Sequence, residues 1–163
     1  MAQVNPYISF LIGDLEYFLI SNRNEINHYV EKNRDIPYEK SLDILDKFNE
    51  TLKKATNLMR LTEEVQDELV LRDIFILTSE SLAWILFTLP TISDNLPIFV
   101  EELSINGESI YDLLGHYLLQ LEMYIDKPSL SKETGKTVHQ GIADIHSTID
   151  AIVKQIKRGS VEN

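Results

Sequence analysis

The four histidines, at positions 28, 116, 139 and 146, are the side chains of this sequence best suited to holding a metal ion or moving a proton. His139 and His146 fall on one helical face but two turns apart, roughly 10 Å at 1.5 Å per residue, too far for one ion without help from another helix. Asp112 with His116, and His146 with Asp150, have the i,i+4 spacing that lets two side chains share a ligand. Glu25-x-x-His28 has the form used in di-iron helical bundles, a chemistry that needs a second such element, and the sequence has no other. Cysteine is absent, which removes thiolate ligands and disulfides together. Gly135-Lys136-Thr137 ends like a phosphate-binding loop, yet Leu130 stands where the earlier glycine is required. No metal and no other cofactor is expected.

One short stretch suggests acid–base chemistry. Arg23-Asn24-Glu25-Ile26-Asn27-His28 resembles the Arg, polar residue, x3, His motif of the HEPN family of small all-helical ribonucleases. The resemblance covers these six residues. It implies a metal-independent site assembled from two subunits, with His28 exchanging protons with the attacking 2'-hydroxyl or the leaving oxygen and Arg23 stabilising the phosphorane charge. Val30 stands where that family often has tyrosine, Tyr29 is one position early, and the motif falls in the first helix rather than later in the bundle. An acidic chain also repels RNA. HEPN-like cleavage by Arg23 and His28 is therefore the alternative reading, and the favoured one involves no direct nucleic acid and no catalysis.

The charge that argues against RNA is unevenly distributed. The 163 residues carry a net charge of -11, but residues 1–60 contribute -1, residues 127–163 contribute +2, and residues 61–126 contribute -12, from 13 acids against Arg72 alone. The same middle segment holds the longest apolar runs. It must set strongly apolar and strongly acidic faces side by side.

Apolar residues recur at helical spacing, strict alternation is missing, and Gly and Pro number only 6 and 5. The pattern predicts an all-α, single-domain bundle of about six helices and no sheet, spanning 1–159 with 160–163 as a disordered tail. The first helix is expected from Pro6 to about Lys32, the second after Asp35-Ile36-Pro37. The third, central and apolar, is expected over 62–89, with Thr62 as N-cap and Pro90 as its stop. A short helix follows over about 93–103. Asn106-Gly107 then separates it from a fifth helix ending near Asp126, and Ser129 or Ser131 opens the last, which stops before Gly159.

Within the third helix, Thr78-Ser79-Glu80-Ser81 form a polar belt around the whole circumference, so the segment is expected in a protein core and not in lipid. In the last helix Val138, Ile142, Ile145, Ile149, Ile152 and Ile156 alternate spacings of four and three, a narrow seam with uncharged flanks. Such a seam either docks on the protein's own bundle or joins two copies into a homo-oligomer. These features describe a cytoplasmic acidic protein that binds a macromolecular partner, as an inhibitor, an immunity-type protein or a small subunit of an assembly. The expected partner is a basic protein, held through residues 61–126. The candidate contacts are Glu63, Glu64, Asp67 and Glu68 in one patch and Glu101 and Glu102 in another.

Overall fold

The computed structural model describes residues 5–32 and 36–162. Five α-helices make up most of it: α1 (Pro6–Lys32), α2 (Tyr38–Arg60), α3 (Glu68–Ser93), α4 (Ile110–Met123) and α5 (Lys132–Glu162). The strong i,i+3/i+4 stripe of α2 buries Ile44, Leu45, Phe48, Leu52 and Ala55, and α2 packs against α5, α3 and α1. The outer helix α1 lies on α2 and α3, while α4 packs chiefly on α3 and touches α5. Three helices meet where the Phe48 ring stands edge-on to Trp84, with centroids 4.7 Å apart, and the Trp84 indole donates to Asn27 Oδ1 at 3.1 Å. Among the described residues no helix is long and apolar enough to cross a membrane.

The middle of the chain departs from expectation at four points, each for a local reason. The third helix begins at Glu68 rather than Thr62, because Asp67 accepts hydrogen bonds from the Leu69 and Val70 amides at 2.9 and 3.4 Å. Thr62 instead donates back to the Met59 carbonyl at 2.7 Å and belongs to a single 3-10 turn, Leu61–Glu63, that finishes α2. Pro90 does not stop α3, which continues to Ser93. A proline inside a helix costs about 3 kcal/mol, and the extra turn works against this by placing Ile92 fully inside the core.

No α-helix forms over 93–103. Pro97 disfavours helical backbone at the residue before it, and Ser93 holds the chain in a turn, its hydroxyl accepting from the Val100 amide at 2.7 Å. Only the 3-10 turn Val100–Glu102 remains, which is why five helices are found and not six.

A small sheet is present where none was expected. Ser104–Ile105 (β1) pairs antiparallel with Glu108–Ser109 (β2), in register Ser104 to Ser109 and Ile105 to Glu108. Asn106 and Gly107 both have positive φ, 53° and 88°, which is the two-residue hairpin turn whose twist matches that of paired strands. Ser109 then caps α4, accepting from the Asp112 amide at 3.1 Å. At the far end α5 runs through Gly159 to Glu162, since one glycine near an exposed terminus costs only about 1 kcal/mol against a helix already propagated. Asn163 lies outside the described residues.

Three of the four residues of the polar belt in α3 are accommodated by their own helix or by solvent, while the buried Thr78 hydroxyl has no hydrogen-bond partner among the described residues. Ser79 and Ser81 donate to the Ile76 and Leu77 carbonyls of their own helix, both at 2.8 Å, and Glu80 is exposed.

Candidate functional site

The pairing of α3 with α4 gathers the middle segment on one side of the bundle, and the outer surface of that side alternates acids with large apolar groups. Along α3 the exposed residues run Leu69, Arg72, Asp73, Glu80 and Phe87; along α4 they run Tyr111, Asp112, His116, Leu119, Glu122 and Met123. Arg72, the one base of the segment, sits 3.5 Å from Asp126. The other lysines and arginines lie outside residues 61–126 in the sequence.

The six acids singled out by sequence are not equivalent on this surface. Glu63 reaches across to Lys136 of α5 at 3.3 Å, and Asp67 is committed to capping α3. Glu68 accepts from the Ser129 amide at 3.4 Å. Glu101 has one carboxylate oxygen buried without a hydrogen-bond partner among the described residues. Glu64 and Glu102 are exposed. The free acids that complete the surface, Asp73, Glu80, Asp112 and Glu122, are ones that a search for contiguous runs passes over.

Arg23 is half-buried and His28 exposed on consecutive turns of α1. Five residues of helix place them about 140° apart around the axis and roughly 7.5 Å apart along it, so one chain does not bring them together on a face. Between them, Ile26 is in the core and Asn27 is occupied by Trp84, while Glu25 lies 3.6 Å from Lys40.

Two of the remaining histidines make hydrogen bonds other than those their spacing predicts. His116 Nδ1 meets Glu108 Oε2 at 3.0 Å rather than Asp112. His139 is half-buried in a shallow cleft with Met59, Arg60 and Lys136. His146 Nδ1 lies 2.8 Å from Asn49 Oδ1 and 3.2 Å from the Asn49 carbonyl; both neighbours are acceptors, so this nitrogen carries the proton. Asn49 passes the connection on, its amide donating to Asp150 at 3.4 Å. A hydrogen bond from Lys154 is the main cause that lowers the Asp150 pKa below the usual aspartate range. This chain crosses from α2 to α5 and fastens them. Sequence reasoning missed it because its members are about one hundred residues apart. Among the described residues no group of three or more His, Asp or Glu is arranged to hold a metal ion.

The α5 seam lies inside the molecule: Val138, Ile142, Ile145 and Ile149 are fully buried, Ile156 nearly so and Ile152 half-buried, with α2 the chief neighbour. On its flank, Gly141 receives the Tyr117 ring from α4, in the space a Cβ would fill. Burial, reinforced by Asp144 and Glu108, raises the Tyr117 pKa.

A family model described as "Uncharacterized protein" matches residues 8–163, from the first turn of α1 through the end of α5. The chain belongs to that family. A relative from Aquifex aeolicus (strain VF5), also described as "Uncharacterized protein", is 25% identical over 129 residues, covering 75% of this chain and 78% of its own. No solved structure matches the chain.

Proposed function

We propose that the protein is a non-catalytic binding module that takes a basic macromolecular partner on its α3–α4 side. In this reading α3 serves both as the central helix of the bundle and, along its outer line, as half of the docking surface. The observation that carries the proposal is the alternation on that surface: Asp73, Glu80, Asp112 and Glu122 are interleaved with Leu69, Phe87, Leu119 and Met123, all exposed. Acids placed only to keep an apolar segment hydrated need no such neighbours. Exposed apolar groups set among predominantly acidic side chains suit a partner that is both cationic and amphipathic.

The test begins with capture of the partner from the source organism. Asp73, Glu80, Asp112 and Glu122 are then changed to lysine, with Glu64 and Glu102 changed in a second variant. Association with the captured partner is expected to slow at least tenfold in the first variant. Association of the native protein should also slow as the screening length falls from about 10 Å at 0.1 M salt to about 3 Å at 1 M. Unchanged association in both folded variants would move the interface elsewhere. The competing ribonuclease reading is checked in the same preparations: it requires RNA cleavage in metal-free buffer that is lost in both Arg23→Ala and His28→Ala.

A further inference from the structure

The outer face of α1 carries four large apolar side chains in water: Tyr7 is 53% exposed, Phe10 65%, Tyr17 76% and Ile20 45%. Gly13 stands among them, and a Cβ added there would meet nothing within 4 Å. A glycine inside a helix is destabilising relative to alanine, and no contact among the described residues requires it. Four of the five positions have a symmetry of their own, and the fifth, Gly13, mirrors Asp14. About a point midway between residues 13 and 14, Phe10 mirrors Tyr17 and Tyr7 mirrors Ile20, at 3.5 and 6.5 residues on either side. A face that matches its own reversal is what a two-fold interface demands, since residue i of one copy must meet residue j of the other and the reverse.

We propose that the protein self-associates through this face, with α1 of two copies crossing antiparallel at Gly13, Phe10 of each against Tyr17 of the other and Tyr7 against Ile20. At the crossing Gly13 of each copy lies opposite Asp14 of the other, and the missing side chain leaves room for that carboxylate and its Lys54 partner. Charge favours a second copy here over other occupants. Between Pro6 and Asn22 the helix holds only Asp14 and Glu16; Asp14 is answered by Lys54 at 2.6 Å and falls opposite Gly13 of the other copy, and Glu16, one turn before Ile20 on the edge of this face, falls opposite Leu11, so no acid stands directly opposite an acid. Two copies therefore meet without like-charge conflict. The comparable line on α4, Tyr111, Leu119 and Met123, is flanked by Glu108, Asp112 and Glu122, which repel a second copy of the same acidic surface. A membrane surface calls for basic residues beside the apolar ones, and the first base of α1 is Arg23.

The area is adequate for a dimer. Taking roughly 150–250 Å² for a whole aromatic side chain, the four exposures leave about 450 Å² per copy. The exposed rim residues Ser9, Ser21 and Asn24 bring the two-copy total past the roughly 1,000 Å² that separates specific interfaces from chance contacts.

Sedimentation and light scattering of the native protein should give twice the chain mass of 18.8 kDa. Phe10→Asp and Tyr17→Asp should each give the monomer, with circular dichroism and melting unchanged, because both side chains are already in water in the single chain. The absence of cysteine allows the register to be read directly. Under oxidation, a mixture of Phe10→Cys chains and Tyr17→Cys chains should form the mixed disulfide in preference to either same-position one. A native protein that stays monomeric up to its solubility limit overturns the proposal, as does a dimer that persists in both aspartate variants. Preferential linkage of residue 10 to residue 10 overturns the antiparallel register.

Discussion

Between α2 and α5 the apolar seam is closed and the polar groups are matched across the joint: Lys157 meets Asp46 at 2.8 Å, and His146, Asn49 and Asp150 form one connected chain. Between α3 and α4 the interior is equally closed, with Leu71, Ile74, Leu82, Leu114 and Leu121 all buried, but the outside is left largely unmatched. Arg72 meets Asp126 and His116 meets Glu108, while Asp73, Glu80, Asp112 and Glu122 are exposed and Leu69, Phe87, Leu119 and Met123 stand in water. The contrast separates what holding a fold together requires from what it does not. The α2–α5 joint shows that this chain can match charges across helices. The largely unmatched α3–α4 surface is thus not a requirement of the bundle, and that makes it the better place to look for binding.

If α2–α5 is the joint that holds the molecule, the largest loss should come from its centre. Ile149→Asp places a carboxylate in a fully buried seam and should cost about 4 kcal/mol or more; thermal and urea unfolding measure it, and a variant that melts like the native protein would refute the buried seam. Gly141→Ala comes next, because the new methyl group would overlap the Tyr117 ring. Overpacking of about 1–3 kcal/mol, less up to about 1 kcal/mol of improved helix propensity, leaves a net loss measurable by urea denaturation.

On the α3–α4 side, Asp67→Ala removes the cap of α3 and should cost about 1 kcal/mol. That result would set Asp67 among the acids that build the surface rather than those that bind through it, and unchanged stability would return it to the binding set. The smallest effect is expected at Asp150. Its pKa is lowered chiefly by the hydrogen bond from Lys154, so its contribution is complete above the ordinary aspartate range and is lost as pH falls through the lowered folded value. As an exposed, screened pair it should amount to no more than about 0.5 kcal/mol. Comparing native protein with Asp150→Asn across that acid range isolates it: the two should converge at the acid end.

Periodicity made the long elements legible. The span of α1 from Pro6 to Lys32, the stripe of α2 and the α5 seam all follow from apolar spacing, because a helix buries one face whatever lies opposite. Boundaries set by competing side-chain hydrogen bonds were harder. Thr62 and Asp67 are both good caps by type, and which of them starts α3 depends on Thr62 having already turned back to Met59. The signal for the hairpin was in plain view, since Asn106-Gly107 is a strong two-residue turn; the short strands beside it lack the alternation that would have marked them. The acid excess of residues 61–126 could be counted, but not its division. Glu63 and Glu68 take structural partners near residues 136 and 129 that only the folded chain brings close. Nor could spacing disclose the Tyr7–Ile20 pattern, which is informative only once those side chains are known to stay in water.

The pairing of the second helix with the last also sets a timetable. During synthesis the chain grows from its N-terminus at about 5–20 residues per second, and Arg60 ends α2 long before Ile156 completes the seam that covers it. The buried face of α2 must wait roughly 5–20 s for its cover, on a ribosome surrounded by other apolar surfaces.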